Sequence, residues 1–273
     1  MAELSRSQID KLGRRLRRAG PNNLSDEERD LLERLVAAHG TVLATVQLRL
    51  AKELGLPVTS RTKTTGTLVE KLQRSPSMAL SRMQDIAGAR LVAEMNRTEQ
   101  DQLVARIVEL FPGADVKDRR AEPSHGYRAV HVIVEVDQRL VEIQVRTVLQ
   151  DLWAQVVERL ADRWGRGIRY GDLPNDPDAE VGGGNTRRDV IEGLMTQSEV
   201  TDKIEQDAVG MVKAEARLVA AERRLESAPT TPNLLEVQEY TAETRRMFEE
   251  FKNEHRALEE QVRGFFLALS SLE

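Results

Sequence analysis

The chain has 273 residues, long enough for one large domain or two small ones with a buried core. At 40% apolar, 31% charged and 4% aromatic it reads as globular and helix-rich, and the lack of cysteine excludes disulfides, thiolate nucleophiles and zinc–cysteine centres. The net charge of −5 is uneven: residues 1–20 carry Arg6, Lys11, Arg14, Arg15, Arg17 and Arg18 against Glu3 and Asp10, whereas residues 184–273 hold 18 acidic and 12 basic side chains.

Ile9, Leu12 and Leu16 recur at helical spacing over residues 5–19, and Gly20-Pro21 ends that helix. Ser25 and Glu28 form a capping box for a second helix reaching about Leu54. Its apolar positions are Leu31, Leu32, Leu35, Val42, Leu43 and Val46, and Gly55-Leu56-Pro57 closes it. Residues 1–57 are thus an N-terminal helical segment. Residues 58–170 mix periods. Ile86–Val92 predicts a buried strand and Thr98–Leu110 a helix; Arg128–Val136 and Arg139–Arg146 alternate as a strand pair, and Thr147–Trp164 returns to helix. The predicted class is α+β, a mixed or antiparallel sheet flanked by helices.

Residues 171–186, rich in Gly, Pro and Asp, predict a flexible linker. Beyond it, residues 187–273 predict a helical hairpin, about 187–226 and 233–270, broken at Ser227-Ala-Pro-Thr-Thr-Pro232. Its expected seams are Val212, Ala216, Val219 and Leu225 on one helix. On the other they are Leu235, Tyr240, Met247, Phe248, Phe251, Leu258, Val262 and Phe265. Such a hairpin packs on the core or joins copies of the chain as a homo-oligomer. No apolar run of about 18 residues predicts a membrane span, residues 1–18 lack a signal peptide's apolar stretch, and a cytoplasmic location is expected.

The chemistry concentrates between residues 60 and 151. Along 139–146, Val141, Ile143 and Val145 take one face of a strand while Glu142, Gln144 and Arg146 take the other. Asp85, before a buried strand, is either a turn cap or half of a carboxylate pair for Mg²⁺. Arg61, Lys63, Thr67, Lys71 and Arg74 surround a predicted helix start, either a basic surface or a polyphosphate cradle, with no Walker loop present. His125-Gly126-Tyr127-Arg128 places an aromatic face at a tight turn, where a purine base can stack.

Together these residues resemble the synthetase domain of the RelA/SpoT homologues. The matching segments, in order, are Arg61-x-Lys63-x-x-x-Thr67-x-x-x-Lys71, Asp85-Ile-Ala-Gly-Ala-Arg90 and Lys117-Asp118-x-x-x-x-Pro123-x-x-Gly126-Tyr127-Arg128-Ala129-Val130-His131. Glu142-Ile-Gln144-Val-Arg146-Thr147 and Leu152-Trp153-Ala154 complete the set. No HDxxED-type sequence occurs, so the resemblance implies a synthetase without the family's hydrolase, laid out like the small alarmone synthetases.

The resemblance implies transfer of the ATP pyrophosphate to the 3′-hydroxyl of GDP or GTP, giving (p)ppGpp and AMP. By matched position, Asp85 and Glu142 hold Mg²⁺, and Glu142 is also the candidate general base. Arg61, Lys63, Thr67, Lys71 and Arg90 bind ATP. Tyr127 stacks on the acceptor base, Arg128, His131 and Gln144 orient the acceptor, Arg146 supports them, and Asp151 stands at an acceptor position where the family often has Asn.

The family's Lys-Asp-Tyr is here Lys117-Asp118-Arg119, its Pro-Lys is Pro123-Ser124, and its Asn before Gly-Tyr is His125 in a loop one residue shorter. These departures all fall on the acceptor side. They leave a second acceptor open, the 3′-CCA end of tRNA in a toxin-type relative, for which Arg119, Arg120, Arg163, Arg166 and Arg169, with the basic N-terminal helix, would line a cationic track. A third reading is a non-catalytic RNA-binding regulator, which the intact Asp85 and Glu142 disfavour.

Overall fold

The computed structural model describes residues 5–227 and 233–271. Its regular elements are α1 (Arg6–Ala19), α2 (Asp26–Leu54), β1 (Val58–Thr62), α3 (Thr65–Arg74), β2 (Ala87–Ala93), α4 (Arg97–Leu110) and β3 (Asp115–Asp118). They continue as β4 (Val130–Val136), β5 (Arg139–Thr147), α5 (Val148–Trp164), β6 (Glu180–Gly182), β7 (Asn185–Thr186), α6 (Arg187–Glu226) and α7 (Leu234–Ser270). The class is the expected α+β: a mixed five-stranded sheet with N-terminal and C-terminal helices. The chain forms two units interleaved in sequence. One holds Met1–Ala93, Gln102–Arg119 and Ala129–Arg146; the other holds Glu94–Asp101, Arg120–Arg128 and Thr147–Glu273.

In the first unit the sheet order is β1-β2-β5-β4-β3. β1 pairs antiparallel with β2, β3 with β4, and β4 with β5. Val141, Ile143 and Val145 are fully buried on β5, as are Val132 and Val134 on β4 and Leu91 on β2, so the period-two alternation buries one face. The β4–β5 turn is closed by Asp137 and Gln138, both at positive φ, which suits the twist of a tight hairpin. Helix α2 packs on β1 and β2 and begins at the Ser25/Glu28 capping box. Leu12 and Leu16 of α1 join Leu68, Val69 and Leu72 of α3 in a second apolar layer with Met83 and Ile86.

Strands β1 and β3 were absent from the sequence expectation. Val58–Thr62 is largely exposed and polar, and Asp115–Asp118 has four residues with three exposed, so neither carries an apolar alternation. β2 starts at Ala87, one residue later than expected, which leaves Asp85 and Ile86 in the preceding turn.

In the second unit, Trp153, Val156 and Leu160 of α5 pack with Leu194 and Ile204 of α6 and Val262 and Phe266 of α7. Residues 171–186, expected to be a flexible linker, include the β6–β7 ribbon, turned by Gly182, Gly183 and Gly184 at positive φ. The expected α6–α7 seam is only partly buried. Val262 is inside, but Val212, Tyr240 and Met247 are 58%, 73% and 62% exposed. Leu235, Phe251 and Leu258 are exposed too. Ion pairs take the inter-helix contact there instead: Arg245 with Glu222 at 2.6 Å and Lys252 with Glu215 at 3.3 Å. Residues 228–232 of the expected break lie outside the described residues.

Ile143, wholly buried on a central strand, carries the sheet's core face. Ile143→Ala should destabilise the protein by about 2–5 kcal/mol in urea unfolding.

Candidate active site

The other sheet face is polar. Directly paired residues share a face, and Lys117, His131 and Gln144 form one row across β3, β4 and β5. Arg61 on β1 pairs with Gly88 on β2. A Cβ built at Gly88 would meet only backbone, the Glu142 oxygen at 3.7 Å and the Arg61 oxygen at 4.0 Å. No side chain rises over Gly88 there, and Glu142 stands on the neighbouring strand. Arg90 is the next residue on the Gly88 side of β2.

The residue after β1 extends its pairing with the β2 side by one more step. The Lys63 amide donates to the Ile86 carbonyl at 2.8 Å, which sets Lys63 beside Asp85. Thr64 then caps α3, its hydroxyl accepting from the Thr67 amide. Lys71, four residues after Thr67, lies one helical turn on. The result is two ammonium groups on one carboxylate oxygen: Lys71 Nζ is 2.6 Å and Lys63 Nζ 3.4 Å from Asp85 Oδ2. The other oxygen, Oδ1, is buried and makes no hydrogen bond.

Glu142 is held by its own face. His131 Nδ1 lies 3.2 Å from Oε1, and Gln144 donates to Oε2 at 2.8 Å. Arg146, 2% exposed, donates in turn to Gln144 Oε1 at 2.7 Å. Burial alone would push the Glu142 carboxyl up. The hydrogen bond and charge of His131, the Gln144 amide and the charge of Lys71 outweigh it and bring the group down to about 2. Lys71, which contacts Asp85, also adds to the positive charge that lowers Glu142. Among the described residues no three His, Asp or Glu side chains cluster as a metal site. The oxygen donors on offer are the free Asp85 Oδ1 and the ionised Glu142.

Arg61, Lys63, Lys71, Asp85, Arg90, His131, Glu142, Gln144 and Arg146 all belong to the first unit. The Thr67 hydroxyl donates to the Thr64 carbonyl at 2.9 Å at the start of α3. Tyr127, Arg128 and Asp151 belong to the second unit. Tyr127 is half-buried against its core, and Asp151 is buried in the first turn of α5, accepting from Gln155. Arg128, expected to orient the acceptor, is 7% exposed and bonded to α6 through Ser198 and Asp202. Its guanidinium is occupied by the protein itself.

Lys117 had been quoted in the resemblance without a role. Its Nζ donates to Gln84 Oε1 at 2.6 Å, next to Asp85, so it belongs to the same cationic face. The signal for it was its β3 position opposite His131, which the unrecognised strand concealed.

Residues 60–161 match the family described as "Region found in RelA / SpoT proteins". Protein Rv1366 of Mycobacterium tuberculosis is 45% identical over 152 residues, covering 52% of this chain and 55% of that protein. The GTP pyrophosphokinase YjbM of Bacillus subtilis is 32% identical over 117 residues, 38% of this chain and 54% of that protein. The chain therefore spans about half the length of the curated relatives it matches. The crystal structure of small alarmone synthetase 1 from Bacillus subtilis shares the fold at TM-score 0.50 and 22% identity, over 69% of this chain and 98% of that one. The same synthetase bound to its product pppGpp gives 0.51 and 21%, over 68% and 97%.

Because Glu142 stays ionised in the folded chain below the usual 4.5, its contribution is present above pH 4.5 and is lost as the pH falls toward about 2. Glu142→Gln should flatten that limb of a stability–pH profile measured by urea unfolding. An unchanged slope across the window contradicts the His131–Glu142 pairing.

Proposed function

Residues 60–161 match the region found in RelA/SpoT proteins, and from that premise we propose that the chain is a member of that family and an ATP-dependent pyrophosphokinase. The reading is transfer of the ATP pyrophosphate to the 3′-hydroxyl of GDP or GTP, with release of AMP. The observation that carries it is the meeting of Lys63 and Lys71 on Asp85, together with the buried Glu142 held by His131 and Gln144. Phosphoryl-type transfer needs positioning and charge neutralisation more than covalent chemistry.

The roles are proposed from the matched positions. Lys63, Lys71, Arg61 and Arg90 meet the ATP phosphates as cations, with the start of α3 at Thr67 adding backbone amides. Asp85 and Glu142 are the residues that would hold Mg²⁺. The fit rests on the buried, unpartnered Asp85 Oδ1 and on the ionised Glu142, both hard oxygen donors. Two carboxylates suffice, because Mg²⁺ commonly takes its remaining ligands from water and substrate phosphates. When bound, the ion neutralises charge on the transferred group.

Glu142, held by His131 and Gln144, is the candidate general base for the acceptor hydroxyl as well as a residue that would hold Mg²⁺. His131 and Gln144, bonded to it, orient it. The acceptor side is read more coarsely, with Tyr127 as the stacking face. A nucleotide is favoured over the tRNA end because Arg120 and Arg169, read as part of a cationic track, are bonded to Asp101 and Asp162 at 2.6 and 2.8 Å.

The test uses the full chain with labelled ATP. Label on GDP or GTP with AMP release is the expected result; label on tRNA selects the other acceptor, and label on none of them overturns the proposal. Asp85→Asn and Glu142→Gln should each lower turnover by about 10³-fold or more while the circular dichroism spectrum stays unchanged. Chelation with EDTA should stop transfer and added Mg²⁺ restore it.

A further inference from the structure

The segment between β3 and β4 carries Tyr127, and its shape is imposed by α6, a helix outside the matched region 60–161. His125 and Gly126 both sit at positive φ, making a two-residue turn in which the Tyr127 amide donates to the Ser124 carbonyl at 3.0 Å. Ser198 on α6 donates its hydroxyl to the Gly126 carbonyl. One helical turn on, Asp202 meets Arg128 Nη1 at 3.1 Å and also receives Arg97. Arg128 Nε donates to both the carbonyl and the hydroxyl of Ser198, at 3.2 Å each, while Nη1 donates to the Arg120 carbonyl.

The turn has no slack beneath it. A Cβ at Gly126 would stand 2.7 Å from the Trp153 ring and 2.9 Å from the Met195 sulfur. Trp153 is itself held by α6, its indole nitrogen donating to the Leu194 carbonyl at 2.7 Å. The start of the segment is tied separately, Arg120 bonding Gln100 and Asp101. The segment's own sequence, Arg-Ala-Glu-Pro-Ser-His-Gly-Tyr-Arg, has little apolar surface with which to fix a shape. Two α6 side chains therefore hold its turn and its exit.

We infer that Ser198 and Asp202 are positioning residues for the acceptor: they hold residues 120–128, and with them Tyr127, in the shape that receives the acceptor base. The inference rests on the pyrophosphokinase reading for its functional half. The helical hairpin is then part of the acceptor machinery as well as a packing element.

Ser198→Ala and Asp202→Asn in the full chain test it by two measurements. Amide exchange should quicken over residues 120–128 and stay unchanged over the sheet residues 130–136. With GDP as the acceptor probe, KM for GDP should rise about five- to tenfold, the worth of one or two lost hydrogen bonds, while KM for ATP stays within about twofold. Unaltered exchange in both variants overturns the clamp. Faster exchange with both KM values rising together makes the contacts merely structural and overturns the positioning role. If Asp202→Asn fails to fold, the milder Ser198→Ala decides alone. If the unsubstituted protein transfers to neither GDP, GTP nor tRNA, the pyrophosphokinase reading and the acceptor role fall together, and the exchange measurement still decides whether α6 holds the segment.

Discussion

Two lysines share one oxygen of Asp85, and the first unit's polar face is arranged around that meeting. Lys63 comes from the segment after β1, Lys71 from the second turn of α3, and Asp85 from the turn before β2. Three chain segments must converge to within a few ångströms. The backbone bond from Lys63 to Ile86 and the apolar layer under α3 make that convergence structural rather than electrostatic. All three side chains are three-quarters or more buried, so desolvation offsets much of what the ion pairs contribute to stability. Their significance is preorganisation: positive charge is fixed where an anion would otherwise have to recruit it.

The face continues on β5 by a different device. Arg146, Gln144 and Glu142 lie on alternate residues of one strand and pass hydrogen bonds along it, ending at a carboxylate that His131 meets from β4. Arg146 Nη2 fixes the Gln144 amide, and Gln144 fixes Glu142. Strand period and hydrogen-bond chemistry agree here, because only alternate residues reach one another on the same side.

Much of this was legible in the amino-acid order. The two faces of β5, the Ser25/Glu28 cap and the extent of α2, α5 and α6 follow from periods and capping residues that act locally. β1 and β3 were not legible because their stability comes from partners distant in sequence, Gly88 and Ala87 for β1 and His131 for β3. Asp85, Lys63 and Lys71 were singled out from the sequence, and the structure brings the three into contact. The occupation of Arg128 by α6 was not legible: the partners, Ser198 and Asp202, are about seventy residues away and belong to no local pattern. The apolar residues of α7 misled for a related reason. Tyr240 and Met247 fit a heptad, yet the face turned to α6 there is closed by Arg245 and Lys252.

The chain has two tryptophans. Trp153 lies directly under the Gly126 turn, and Trp164 lies under the Arg187 guanidinium at 5.6 Å, at the start of α6. Both indoles are therefore native fluorophores for the second unit, one reporting the turn beside Tyr127 and the other the root of the long helix, while the sheet and its charged face stay spectroscopically silent at tryptophan wavelengths.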